Sequence, residues 1–179
     1  MDTKLRADIA ESAATTELLK RGFRVLKPYG DRLPYDLALD VDGKLIRIQV
    51  KCAWFSRSGG CYVVDARRTK TNRRRMLRGF YTSQDFDFAI LAICRLNVFY
   101  IVPVDVFRSF GSTISLVEAD KRQRKPKSAE YRERWELLSP RARPVETPVG
   151  ILPNSVKPEM VIPSQARGNI TREGVETRR

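Results

Sequence analysis

The stretch "DLALDVDGKLIRIQVK", residues 36–51, alternates apolar and polar side chains on both sides of an Asp-Gly pair. Asp-Gly between alternating strands is the chemistry of a two-residue hairpin turn, and such a turn fixes the register. With Asp42 and Gly43 as the turn, Leu37 faces Ile48 and Leu39 faces Ile46. That apolar face must pack into a core. The opposite face then sets Asp36 across from Gln49, with Cβ atoms about 4.5–5.5 Å apart. Lys51 lies two residues further along the same side. A carboxylate, an amide and an ammonium therefore meet at one end of a hairpin whose reverse side is anchored, which is how a site is built on a rigid element.

Those residue types suit metal-assisted chemistry on phosphate. A carboxylate and nearby carbonyls are the hard oxygen ligands Mg2+ prefers. A lysine beside such an ion can orient or help deprotonate its water and can stabilise negative charge on phosphate. One carboxylate is thin for a divalent ion, so a second is expected from outside the hairpin. Glu11 is the candidate: it lies in a predicted helix over residues 3–21, among the small residues Ala10, Ser12, Ala13 and Ala14, which would let that helix approach the sheet closely. Leu5, Ile9, Ala13, Thr16 and Leu19 share one helical face, and Gly22 stands in the usual C-cap place.

Further along, residues 23–34 give a short strand and a Gly/Pro loop, and residues 61–68 ("CYVVDARR") another strand. Residues 86–93 ("FDFAILAI") form the continuous apolar run of a central strand covered on both faces. Residues 98–104 are a further strand, followed by a short helix. Residues 128–138 ("SAEYRERWELL") are predicted helical, capped by Ser128, with Tyr131, Trp135 and Leu138 on one face that is core in preference to an interface. The order implies an α/β (α+β) layered domain over residues 1–139. Six of the ten prolines fall between residues 140 and 163, so residues 140–179 are expected to be an extended arm and a disordered, Arg-bearing tail.

Composition narrows the chemistry. The 179 residues contain no histidine, which removes Ser-His-Asp and Cys-His catalysis, histidine zinc sites and histidine general bases. Cys52, Cys61 and Cys94 form no CxxC pair and read as small buried hydrophobes. The longest apolar run is far short of a membrane span, and the N-terminus carries no secretory apolar stretch, so a cytoplasmic protein is expected. Thirty-four basic against 21 acidic residues leave +13, a surface that attracts polyanions, nucleic acid first among them. The densest basic cluster is Arg67, Arg68, Lys70, Arg73, Arg74, Arg75 and Arg78, with Asn72 among them. It reads as a loop leaving the sheet that carries the site, able to track phosphates and read base edges. A second group, Lys121, Arg122, Arg124, Lys125 and Lys127, is equally well explained as a solvated linker.

The segment "IAESAATTELLKRGFRVLKPYGDRLPYDLALDVDGKLIRIQVKCA" resembles the PD-(D/E)xK nuclease superfamily. It is most similar to the branch of group I intron-associated homing endonucleases, with archaeal Holliday-junction resolvases as structural cousins. The resemblance covers about residues 5 to 105 and rests on the order helix with Glu, "GFRVLKP", "LPYDL", "IQVK". It implies a restriction-endonuclease-like core with a central mixed β-sheet flanked by helices. It implies that Asp36 is the metal-binding aspartate, Lys51 the motif lysine, Glu11 the helical acidic residue and the Val50 carbonyl a further metal ligand. Gln49 stands where most of the superfamily has Asp or Glu; the intron-associated branch is known for glutamine there. The implied activity is Mg2+-dependent, site-specific hydrolysis of double-stranded DNA leaving 5′-phosphates, by a homo-oligomer (dimer or tetramer), since one domain cannot cover a long site. Two other readings stay open at this point: a structure-specific repair nuclease such as a junction resolvase, and a DNA- or RNA-binding protein without catalysis.

Overall fold

The hairpin forms in the register its turn chemistry sets. A computed structural model describes residues 2–30, 32–71, 76–118 and 126–138. In it, strands β2 (Leu37–Val41) and β3 (Lys44–Cys52) pair antiparallel, Leu37 opposite Ile48 and Leu39 opposite Ile46. Asp42 and Gly43 both take positive φ, 51° and 78°, as a type I′ turn requires. Asp40 Oδ1 braces the turn by accepting from Gly43 N at 3.2 Å.

The hairpin is one half of a five-stranded mixed sheet ordered β1-β2-β3-β8-β9, with β1 Arg24–Leu26, β8 Phe88–Ile93 and β9 Val98–Pro103. β3 and β8 run parallel and every other pair is antiparallel. β8 is an interior strand between β3 and β9, and Ala89 to Ile93 are inaccessible to solvent, as its unbroken apolar sequence demands. Helix α1 (Thr3–Lys20) covers one face, forming a core with Leu37, Leu39, Ile48 and Val50. The other face packs on helix α2 (Val104–Ser109) and on a second sheet ordered β10-β5-β4, made of β4 Trp54–Ser56, β5 Cys61–Asp65 and β10 Thr113–Leu116. Asp87 pins the junction of the two halves: it accepts from Arg47 N at 2.7 Å and pairs with the Arg47 guanidinium at 2.8 Å.

Three local expectations are corrected. The face of α1 that meets the sheet is Ala10, Ala14 and Leu18, while Leu5, Ile9 and Leu19 are exposed. Alanine wins because a helix lying close on β3 has no room for a row of branched side chains. Residues 128–138 are not one α-helix but two 3-10 turns, Lys127–Tyr131 and Trp135–Leu138, separated at Glu133 with φ 53°. The break lets Glu133 N donate to Phe99 O at 2.8 Å and its Oε1 accept from Phe99 N at 2.7 Å, so both backbone groups of Phe99 on the open edge of β9 are satisfied. Ser128 does not cap a helix; buried, it donates to Ser115 O at 2.7 Å. Trp135 is core, its ring centre 5.4 Å from that of Phe99, with Arg21 stacked over it at 4.3 Å. Finally, the basic segment after β5 is a hairpin of β6 (Arg68–Thr71) and β7 (Met76–Gly79), not a loop.

Cys61 is buried and Cys52 and Cys94 are half-buried, all three as free thiols. Among the described residues no helix is long and apolar enough to cross a membrane. The expected arm and tail, residues 140–179, and the basic positions 121–125 lie outside the described residues.

Candidate active site

The ladder between β2 and β3 continues one residue past Leu37, because Asp36 N donates to Ile48 O at 2.9 Å. That extra rung fixes the Asp36 backbone and turns its carboxylate onto β3. Oδ2 accepts from Val50 N at 2.7 Å and from Gln49 Nε2. The Gln49 amide, 7% exposed, also reaches the Val50 carbonyl at 3.2 Å. The predicted meeting of Asp36 and Gln49 is therefore present, and it includes both backbone groups of Val50.

Burial pushes the Asp36 carboxyl up to about 6, with the neighbouring charge of Glu11 adding to the rise and the Val50 N–H, Lys51 and Lys27 opposing it. A buried carboxylate whose ionisation is made costlier still by a second acid nearby is a site that a cation would relieve. Lys51 is the complementary case: burial draws its ammonium below the usual lysine value, with Asp36 and Asp65 opposing. It donates to the Arg67 carbonyl at 3.2 Å and lies 5.0 Å above the ring of Tyr81. Tyr81 is held in turn by edge-on packing against Phe86 and Phe107.

Glu11 projects from α1 beside the Ala10–Ala14 stripe and pairs with Lys27 at 3.0 Å. Sequence reasoning missed Lys27. It follows β1 directly, and the pairing of Leu26 with Ala38 carries the chain beside the end of β2 where Asp36 sits. Arg67 and Tyr81, which hold the lysine, were likewise invisible as site-builders; only the fold brings them under β3.

The cationic segment divides into two parts. Arg67 is engaged by Asp65, Nε to Oδ1 at 2.9 Å, and Arg68 approaches Asp85 at 3.6 Å, so both brace the base of the hairpin. Arg78 is exposed, with its backbone opposite Thr69. Lys70 lies in β6, and Asn72, Arg73, Arg74 and Arg75 fall outside the described residues.

The donors fit a hard divalent ion. Among the described residues no three His, Cys, Asp or Glu side chains converge. The Asp36 carboxylate, the Val50 carbonyl and the nearby charge of Glu11 are nonetheless the kind of sparse oxygen donors that a hard divalent ion takes while keeping much of its water. The acid stands immediately before the second strand of the mixed sheet and the amide and lysine on its third, and the chain belongs to a nuclease class, the PD-(D/E)XK endonuclease family, whose model it matches over residues 1–138. Enzymes of this family generally use divalent metal ions and act on DNA. Among solved structures it is similar to a bacterial homing endonuclease, I-Ssp6803I, with 56% identity, a TM-score of 0.72, and coverage of 77% of this chain and 93% of that one. No curated protein matches it.

Proposed function

We propose that this protein is a Mg2+-dependent, site-specific endonuclease of double-stranded DNA, of the homing type, working as a homo-oligomer. The observation that carries the reading is the convergence of Asp36, Gln49 and Val50 beside Glu11, with the buried ammonium of Lys51 on the same strand. The likeness to a bacterial homing endonuclease supports the type.

Glu11, Asp36 and the Val50 carbonyl would hold the ion, which when bound supplies a water of lowered pKa and positive charge at the scissile phosphate. The chain's own residues do the rest. Gln49 fixes the Asp36 carboxylate through its amide, a neutral hydrogen bond where a third carboxylate would add repulsion. Lys51, drawn toward neutrality by burial, orients the attacking water and moves its proton, and its charged form stabilises the pentavalent phosphate. As the water oxygen bonds to phosphorus the bond to the 3′ oxygen breaks, leaving a 5′-phosphate and a 3′ oxygen that takes a proton from solvent to become the hydroxyl. The β6–β7 hairpin meets the duplex, with Lys70, Asn72, Arg73, Arg74, Arg75 and Arg78 on phosphates and base edges and Arg67 and Arg68 bracing it.

The test is cleavage of a supercoiled plasmid carrying a candidate target, with Mg2+ and then with EDTA, beside Asp36→Ala and Lys51→Ala proteins. Linear product from the parent alone is expected. Binding without cleavage in the parent would overturn the enzymatic reading, and preference for a branched junction over a linear site would overturn the homing one.

A further inference from the structure

Where β3 leaves the site it enters a cavity of about 760 Å3 between α1, the ends of β3 and β8, and the β4–β5 hairpin. Its charged lining is entirely cationic: Arg6 from α1, Arg57 from the hairpin tip and Arg95 after β8. Among the described residues none of the three pairs with an acid, and Arg6 Nε is buried without a hydrogen-bond partner. The rest of the lining is uncharged, with Trp54, Phe55 and Tyr62 on the side of the β4–β5 hairpin and aliphatic and cysteine side chains opposite. Trp54 and Phe55 stand 40% and 50% exposed, and Phe55 is braced edge-on by Tyr62 at 5.3 Å.

An unpartnered guanidinium donor calls for an anion, and large exposed rings call for a flat partner. Unpaired nucleotides offer both, phosphate for arginine and a base face for the ring. A duplex does not, because its base faces are already stacked. Trp54 also lies three residues beyond Lys51, where the chain passes from β3 into β4 through Ala53, so the two are at most about 10 Å apart along the backbone, within about three nucleotides of helical rise. We infer that this cavity is a second nucleic-acid site, taking unpaired nucleotides of the strand that ends or frays beside the cut, with phosphates on Arg6, Arg57 and Arg95 and a base stacked on Trp54 or Phe55. The choice of nucleic acid as occupant rests on the nuclease reading above.

The chain has two tryptophans, and Trp135 is buried, so quenching of intrinsic fluorescence reports on Trp54. Full-length protein in EDTA is titrated with a twelve-nucleotide oligo-dT at several salt concentrations. Quenching is expected, with affinity falling about tenfold in Trp54→Ala. Trp54→Phe keeps the stacking surface, so by fluorescence anisotropy of labelled oligo-dT it binds close to the parent while showing little quench. Arg57→Ala lowers the slope of log affinity against log salt by about 0.7; Arg108→Ala, removing an exposed charge elsewhere, leaves it unchanged. Unchanged oligo-dT affinity in both Trp54→Ala and Arg57→Ala overturns the inference. So does loss of a stable assembly in those variants at constant oligo-dT affinity, which would give the face to a second copy of the chain. Plasmid cleavage read in parallel separates the two proposals: cutting without the Trp54 effect sinks only this one, and the Trp54 effect without cutting sinks the nuclease reading while keeping the cavity as a site for unpaired nucleotides.

Discussion

Replacing Asp36 by asparagine should stabilise the metal-free protein at neutral pH while destroying the site. The carboxyl titrates at about 6 in the fold against an ordinary 3.8, chiefly through burial and then through Glu11. Because the folded value is raised, the folded state holds this proton more tightly than the unfolded chain does. Stability therefore falls as pH rises across the window from 3.8 to about 6 and is flat on either side. The gap corresponds to roughly 3 kcal/mol of penalty for the ionised group above pH 6. Asparagine has the same shape, can still accept from Val50 N, and carries no charge to bury. The difference in unfolding free energy between Asp36→Asn and parent should thus be near zero below pH 4 and climb to about 2–3 kcal/mol in favour of the variant at pH 8. Urea unfolding in EDTA at half-unit pH steps reads this directly, since other titrating groups cancel in the difference. Added Mg2+ should stabilise the parent and not the variant. A variant less stable than the parent at pH 8, or a difference that does not change with pH, would refute the account of Asp36 as a buried carboxylate awaiting a cation.

Three further outcomes are expected. Lys27→Ala removes the positive charge facing Glu11 and should raise apparent Mg2+ affinity severalfold in isothermal titration, the direction set by Coulomb's law at a two-carboxylate site. Asp87→Ala leaves Arg47 and its backbone N–H without their acceptor and should cost about 1 kcal/mol in urea unfolding, the pair being partly solvent-exposed. Arg78→Ala should weaken duplex binding uniformly across sequences and lower the salt slope by about 0.9 in anisotropy titrations.

Much of the site was legible because its decisive step is local. Asp42 and Gly43 select one turn, the turn fixes the pairs, and the pairs bring Asp36 to Gln49 without reference to the rest of the molecule. Glu11 was the candidate for a second carboxylate because small residues flank it on the helix, and the structure sets its charge near Asp36. The helix face was misjudged on the same ground: Leu5, Ile9 and Leu19 carry the apolar periodicity, but width rather than hydrophobicity chooses what fits against β3. The break at Glu133 escaped notice because helical spacing of Tyr131, Trp135 and Leu138 says nothing about an edge strand in need of partners.

Sequence alone thus determined the register of β2 on β3 and the burial of β8 on both faces, since turn geometry and apolar patterning are properties of neighbouring residues, while the mixed sheet and the nuclease chemistry were legible through the family resemblance of the motifs around Glu11, Asp36 and Lys51. Tertiary structure decided the rest: the Lys27 partner of Glu11, the Arg67 carbonyl and Tyr81 ring that hold Lys51, the pairing of Arg68 with Asp85, and the elevated titration of Asp36. Each of these depends on distance and burial between segments far apart in the chain, and a single sequence encodes neither until packing brings them together.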